Sequence, residues 1–328
     1  MDSLFRPFDF HQVIIAPWTT GLSTYGWTML MGFFVAVACG LVGNYLILRR
    51  MALVGDAISH SVLPGLVIAF LIAGKRDNTA MFVGALVAGV VTTMLIELIH
   101  KKTRVKQDAA IGITFTSLFA IGVILVSQFA SRVDLDQECV LYGEITHVSI
   151  DLPVVLGGIN LGPASVVRMG VVMLLTILLI AFFYKELLVS SFDPGLASSL
   201  GINSTLVHYA LMCWLSTVVV SAFEAVGSIL VIAMLILPGA TASLWTQRLF
   251  RMHVLGVIHS AVSAVLGLHL AIWLDCNPAA AMVVMGAVLF VFSWIFSPSQ
   301  GLVRRWTRLR HASAELPSNP EPSFSGER

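Results

Sequence analysis

The stretch MALVGDAISHSVLPGLVIAF, residues 51–70, places an acid and an imidazole inside a segment that is otherwise apolar enough to lie in lipid. Asp56 and His60 are four residues apart, so on a helix both side chains project from one face, one turn apart. Pro64 follows at the next turn. Because proline lacks the N–H that would bond to the carbonyl of His60, the pattern predicts a kink or break beside the pair.

Two interpretations of this acid are open. Asp56 can cap a helix that starts after Gly55, with Ser59 and His60 bonded to neighbouring carbonyls. Alternatively, it faces a cavity or an ion path, since an ionisable group in hydrocarbon costs roughly 2.5 to 3.5 kcal/mol on insertion scales and mostly marks such a site. This cost favours a functional site without identifying the ion.

The composition is that of a polytopic membrane protein. Of 328 residues, 57% are hydrophobic and 11% are charged, whereas about a quarter of a soluble domain is charged. Apolar segments of about 20 residues recur, the length of a helix that crosses a bilayer, and no alternating pattern typical of a barrel repeats. We therefore predict an all-α transmembrane bundle of about 8 to 10 spans, with broken helices.

Nine predicted spans divide the chain. They cover residues 27–48, 53–73, 79–99, 110–129, 165–184, 206–222, 225–244, 254–274 and 279–296. Residues 1–26 form an interfacial amino segment, residues 27–303 the membrane domain, and residues 304–328 a Pro-, Ser- and Glu-rich tail that we expect to be disordered. Within the polar connection 130–164, the stretch DLDQECVLYGEI is expected to form a short external or re-entrant helix.

The basic residues of alternate loops predict the orientation. One side of the membrane collects Arg49, Arg50, Lys101, Lys102, Arg104, Lys106, Lys185, Arg248, Arg251 and the tail, and the other holds Arg6, Lys75, Arg76, Arg132 and Arg168. The first set is cytoplasmic by the positive-inside rule. The amino end is then outside and the carboxyl end is cytoplasmic.

A short helix is predicted on the cytoplasmic side, within KELLVSSFDPGLASSLGIN, residues 185–203. Asp193 can cap it and Pro194 suits its first position. Leu196 and Leu200 then share one face.

Other polar residues in the apolar segments have two interpretations each. Glu224 lies at a junction of two spans, where it is hydrated at the interface or serves as a further ligand or gate residue facing Asp56 and His60. Carboxylate and imidazole suit zinc, manganese or ferrous iron. Hydrogen bonding to a neighbouring helix is the simpler expectation for His208, His259 and His269, and a solvated outer loop for Asp275.

Several motifs are absent from the sequence. There is no GxxxxGK[ST] loop, so ATP is not bound in the P-loop manner and any energy source is another polypeptide. HExxH and any nucleophile–base arrangement are also missing, which argues against an enzyme. No CxxC spacing relates the four cysteines, so neither a thiol metal cluster nor a disulfide framework is expected of Cys39, Cys139, Cys213 and Cys276.

The sequence resembles the permease subunits of bacterial ABC importers for manganese, zinc and iron. The matching stretches, in the order of the family, are LRRMALVGDAISHSVLPGLVIAFL, DAAIGITFTSLFAIGVIL, LYGEI, SFDPGLASSLGI, VGSILVIAMLILPGATA and FSPSQGL. Together they extend over nearly all of residues 27–302.

The resemblance implies roles for particular residues. Asp56 and His60 would coordinate or gate the metal, with Glu224 as a further participant. The coupling helix that docks on a cytoplasmic ATPase would contain Phe192, Asp193, Pro194, Leu196, Leu200 and Gly201.

The resemblance also implies partners. Two permease chains, identical or paralogous, would enclose one pathway in the cytoplasmic (inner) membrane. A cytoplasmic ATPase dimer would bind ATP, and an extracytoplasmic lipoprotein would deliver the metal. No permanent cofactor and no nucleic acid are expected. The choice among manganese, zinc and iron stays open.

A carrier or channel is the alternative interpretation, with the Asp–His pair as a proton relay or ion site. A stand-alone carrier has no need of an ATPase-docking helix, so the segment around Asp193 favours the importer.

Overall fold

The computed structural model describes residues 7–74, 78–129, 145–156, 158–298 and 301. The predicted short helix of residues 134–145 lies outside this part of the chain except for its last residue. The predicted tail of residues 304–328 lies wholly outside it.

The described residues form a helical bundle. After a π-helical turn, His11–Ile15, the α-helices are α1 Ala16–Thr19, α2 Leu22–Leu48, α3 Val54–Ser61, α4 Leu63–Ala73, α5 Asn78–Lys102, α6 Gln107–Phe129, α7 Ala164–Phe182, α8 Tyr184–Phe192, α9 Pro194–Ser199, α10 Ser204–Val226, α11 Ser228–Trp245, α12 Leu249–Leu274 and α13 Pro278–Phe296. Within the described ranges, eight spans are long and apolar enough to cross a membrane, with α3 and α4 counted as one. A shorter apolar helix, Leu230–Trp245 within α11, fills the remaining predicted position. The predicted all-α bundle is confirmed.

Helix α2 is the centre of the bundle. In the most apolar 18-residue stretch of α2, 78% of the residues are buried, whereas 22% are buried in the corresponding stretch of α6. It packs against α7, α10, α11 and α12, and Val35, Val42 and Tyr45 are completely enclosed. Helix α6 therefore forms part of the rim, where an apolar surface suits lipid or another subunit.

Close helix crossings depend on glycines, as expected for membrane helices. A Cβ at Gly43 would collide with the carbonyl of Leu235 on α11. Where α4 crosses α5, a Cβ at Gly84 would collide with the carbonyl of Gly65. Helices α2 and α11, and α4 and α5, thus approach backbone to backbone.

A small hairpin was not predicted. Strands β1, Pro153–Leu156, and β2, Ile159–Pro163, pair antiparallel with Leu156 opposite Ile159. Gly158 adopts φ +85° at the turn, a conformation that glycine reaches without strain. The sequence does contain a Gly-Gly turn signal between two short apolar runs, within the connection that is predicted to be polar.

The amino segment packs against the far end of α12. The indole N–H of Trp18 donates to Nε2 of His269 at 3.2 Å, and the other ring nitrogen of His269 lies 2.7 Å from the carbonyl oxygen of Val13. Phe8 meets the ring of Trp273 edge to face at 5.5 Å between centroids. Residues distant in sequence therefore close one end of the bundle.

Candidate functional site

Asp56 and His60 lie together on α3, as predicted. Oδ1 of Asp56 is 3.2 Å from Nε2 of His60. The aspartate is in the first turn of this short helix and the histidine is in the last, so the helix dipole places partial positive charge near the carboxylate and partial negative charge near the imidazole. The side chains are 36% and 31% exposed, respectively, so the pair is open to a ligand.

Side chains of α6 contact His60, and a side chain of α5 contacts its neighbour in sequence. The ring of His60 lies near those of Phe115 and Phe119 of α6, with centroids 6.0 Å and 6.1 Å away. One residue on, the buried hydroxyls of Ser61 and Thr92 of α5 are 2.6 Å apart and share a hydrogen bond. Contacts from outside α3 therefore reach His60 and the residue next to it.

The capping interpretation of Asp56 is wrong. The residue at the N-cap of α3 is Leu53, and no side chain caps this helix. The hydroxyl of Ser59 does bond to the carbonyl of Gly55, at 3.0 Å, as that interpretation expected. The carboxylate of Asp56 instead meets His60 on the same face.

The interruption predicted from Pro64 is present. Helix α3 ends at Ser61 and α4 begins at Leu63, with Val62 between them in a helical conformation, φ −68° and ψ −26°. The helix is therefore interrupted at one residue without a full break of the helical path. Because residue 64 is proline, the carbonyl of His60 lacks the usual i+4 donor, which leaves an acceptor beside the imidazole.

The pair offers one oxygen and one nitrogen donor to a cation. Within the described ranges, no group of three or more His, Cys, Asp or Glu side chains is arranged to hold a metal ion. Protein-bound transition metals usually have at least four ligands, so two donors alone would be too few to complete a coordination shell.

Glu224 lies in the last turn of α10, two residues before the end of that helix at Val226. Gly227, with φ +83°, separates it from α11, and both helices pack against α3. The position of its side chain lies outside the described part of the structure, so its meeting with Asp56 and His60 stays a prediction.

Hydrogen bonding to a neighbouring part of the chain was expected for three histidines, and the structure gives such bonds for two of them. His269 holds the amino segment, and His208 on α10 contacts Glu97 of α5 at 3.1 Å. His259 is buried in α12 and lines a small cavity with Pro238 and Ser263.

The predicted helix at residue 193 is confirmed as α9. Oδ1 of Asp193 accepts the N–H of Leu196 at 2.9 Å, and Pro194 occupies the first turn. The apolar side chains of Phe192, Leu196 and Leu200 are 56%, 50% and 62% exposed. An exposed apolar patch on a capped helix suits docking against another protein.

A polar cluster at the ends of four helices was missed. Glu97 is buried in α5 and pairs with Lys101 at 2.8 Å and with His208. Arg49, directly after α2, joins the same cluster. Burial lowers the pKa of the Arg49 guanidinium, opposed by Tyr45 and the Glu97 carboxylate. The i,i+4 spacing of Glu97 and Lys101 was the available signal.

This cluster also shows which helix ends meet. The ends of α2, α5 and α8 and the start of α10 come together there, while the amino segment and the far end of α12 meet elsewhere. The grouping agrees with the predicted assignment of Arg49, Lys101 and Lys185 to one side of the membrane.

Comparisons with known proteins give close relatives. The model of the family described as ABC 3 transport family matches residues 23–297. The manganese transport system membrane protein MntD of Bacillus subtilis (strain 168) is 43% identical over 294 residues, covering 90% of this chain and 99% of the relative. The zinc transport system membrane protein TroD of Treponema pallidum (strain Nichols) is 43% identical over 288 residues, covering 88% and 78%.

A solved structure shares the fold. It is described as PsaBC from Streptococcus pneumoniae in complex with Fab, with a TM-score of 0.73 and 33% identity, covering 90% of this chain and all of the matched chain. Relatives named for manganese and for zinc are equally similar to this sequence, so similarity does not select the metal.

Proposed function

This chain belongs to the ABC 3 transport family, and we propose that it is the membrane-spanning permease subunit of an ATP-driven importer of divalent transition-metal ions. The observation that carries the proposal is the Asp56–His60 pair, two donors of different chemistry 3.2 Å apart and about one-third exposed within an apolar span. An intramembrane ionisable pair beside an interrupted helix is a typical ion site.

The metal is the substrate, and the pair is its point of selection. Carboxylate and imidazole can replace hydration water on manganese, zinc or ferrous iron, and they do not separate these ions. Because one chain provides two of the ligands, a second permease chain with its own pair, identical or paralogous, completes the shell around a shared pathway. Glu224 is a further ligand or gate residue in this proposal.

A cytoplasmic ATPase dimer supplies the energy. Helix α9 is its docking element, supported by the exposed side chains of Phe192, Leu196 and Leu200. In this orientation the amino end is outside and the carboxyl end is cytoplasmic. An extracytoplasmic metal-binding lipoprotein delivers the ion.

The permease residues act by binding and release. When ATP closes the ATPases, α9 moves and the pathway opens outward to accept the ion at Asp56 and His60. Hydrolysis resets the pathway, and the ion leaves inward as water replaces the two side chains. A proton-coupled carrier would use the same pair, but it would not co-purify with a nucleotide-binding subunit through α9.

The direct test is Asp56→Asn, which keeps the shape of the side chain and removes its charge. We expect uptake of radioactive manganese and zinc by cells to fall at least about tenfold, because loss of even a supporting group at a metal site costs 10–100-fold. Asp108→Asn is the matched control, since Asp108 also lies in the first turn of a span but is exposed. Uptake by Asp56→Asn at the level of this control would refute the site.

A further inference from the structure

The guanidinium of Arg49 joins three helices. Its Nε donates to the hydroxyl of Ser191 at 3.1 Å and one terminal nitrogen donates to the hydroxyl of Ser190 at 3.0 Å. The other terminal nitrogen lies 2.8 Å from Nδ1 of His208 on α10. All three edges of the planar group are used, an arrangement that suits arginine and not lysine.

His208 extends this set of contacts to α5. Arginine can only donate, so Nδ1 of His208 accepts and Nε2 carries the proton. Nε2 then donates to Glu97 at 3.1 Å, and Lys101 pairs with the other carboxylate oxygen at 2.8 Å. Glu97 and His208 are only 9% and 16% exposed, so the hydrogen bonds are largely protected from water.

The cluster adjoins both the docking helix and the metal pair in sequence. Ser190 and Ser191 are in the last turn of α8, directly before Asp193, which caps α9. On the other side, Arg49 is followed by a tight corner in which the N–H of Met51 bonds to the carbonyl of Leu46 at 2.8 Å. Buried Met51 and Val54 then lead into α3.

We propose that Arg49 is a positioning residue that couples displacement of α9 to the orientation of α3, and therefore to Asp56 and His60. This inference rests on the proposed function. Movement of α8 away from α2 would separate the guanidinium from both serine hydroxyls. Since the charge is half-buried and its donors must stay paired, α8 and the corner before α3 move together.

The test uses the complete importer, with the ATPase and the metal-binding protein, reconstituted in proteoliposomes. The quantity measured is the metal imported per ATP hydrolysed. For Arg49→Gln we expect this ratio to fall about tenfold, within the usual range of coupling between two sites, while basal ATP hydrolysis is unchanged. Arg49→Lys should behave similarly, because it keeps the charge but cannot reach all three partners.

Two further variants separate coupling from folding. Ser190→Ala combined with Ser191→Ala leaves Arg49 in place and should lower the ratio in the same direction. Arg50→Gln, at an exposed neighbouring arginine, is the matched control and should retain the wild-type ratio.

The results that overturn the inference are distinct from failure of the proposed function. A wild-type ratio in Arg49→Gln, or a proportional fall of uptake and ATP hydrolysis, would leave Arg49 with a structural role at most. If Asp56→Asn blocks uptake in the same preparation, the proposed function survives that result. A wild-type complex that hydrolyses ATP without importing metal would overturn both.

Discussion

Two serines next to the Asp56–His60 pair form hydrogen bonds that differ in whether they leave helix α3. The hydroxyl of Ser61 bonds to Thr92 on another helix in addition to the carbonyl of Ile58 in its own helix, whereas the hydroxyl of Ser59 bonds within α3. Both serines are buried on the same short helix. They therefore allow an interhelical contact to be compared with a local one at nearly constant position.

We predict that Ser61→Ala lowers the free energy of unfolding by about 0.5–1 kcal/mol, the usual contribution of an interhelical hydrogen bond in membrane proteins. Ser59→Ala should change it by less, because its hydroxyl bonds to a carbonyl already engaged in the helix. Thermal unfolding of the purified protein in detergent measures both. Equal losses would mean that the Ser61–Thr92 bond does not stabilise the interrupted span.

The chemistry of the pair could be predicted from sequence because it depends on local spacing. Asp56 and His60 are one helical turn apart whatever the fold, and Pro64 acts on the same helix. The aromatic contacts of His60 could not be predicted, since Phe115 and Phe119 come from α6. The contact of Glu97 with His208 could not be predicted either, because the two residues are 111 positions apart in sequence.

At the level of helices, the crossing of α4 and α5 depends on two glycines. A Cβ at Gly84 would meet both the carbonyl of Gly65 and the methyl group of Ala69. In contrast, a Cβ at Gly112 on α6 would meet nothing within 4 Å. Both glycines therefore lie within helices, but only Gly84 is at a close helix contact.

Gly84→Ala should lower the free energy of unfolding by about 1–3 kcal/mol, as overpacking a close contact does. Gly112→Ala should be neutral or gain up to about 1 kcal/mol, because alanine favours the helix. Unfolding in detergent again gives the measurement. A stable Gly84→Ala protein would show that α4 and α5 can separate without cost.

Helix boundaries show where sequence patterns are weak. Helix α2 begins at Leu22, five residues before the predicted start at Trp27, and α12 begins at Leu249, five before Val254. Polar and aromatic residues near a helix end lower the apolar average without ending the hydrogen-bonded ladder. The central part of each span was predictable because lipid requires continuous helix there.

For the whole molecule, the contacts establish which helix ends lie on the same side, and the positive-inside rule supplies the direction. Cys276 lies exposed between α12 and α13, on the side predicted to be outside. Ser199, at the end of α9, lies exposed on the side predicted to be cytoplasmic.

A membrane-impermeant thiol reagent tests this orientation. In a Cys139→Ser background, Cys276 should react in cells with an intact cytoplasmic membrane, and Cys276→Ser should abolish the labelling. A cysteine at position 199, introduced by Ser199→Cys with Cys139 and Cys276 both replaced by serine, should react only after permeabilisation. The reverse pattern would invert the topology.

The contact between Trp18 and His269 joins residues 251 positions apart. During synthesis, the amino segment leaves the ribosome long before α12 does. Its docking must therefore be among the last events of biogenesis, and a chain truncated before residue 269 would leave this segment without its anchor. The contact between Trp18 and His269 can therefore form only in a chain that has been synthesised as far as α12.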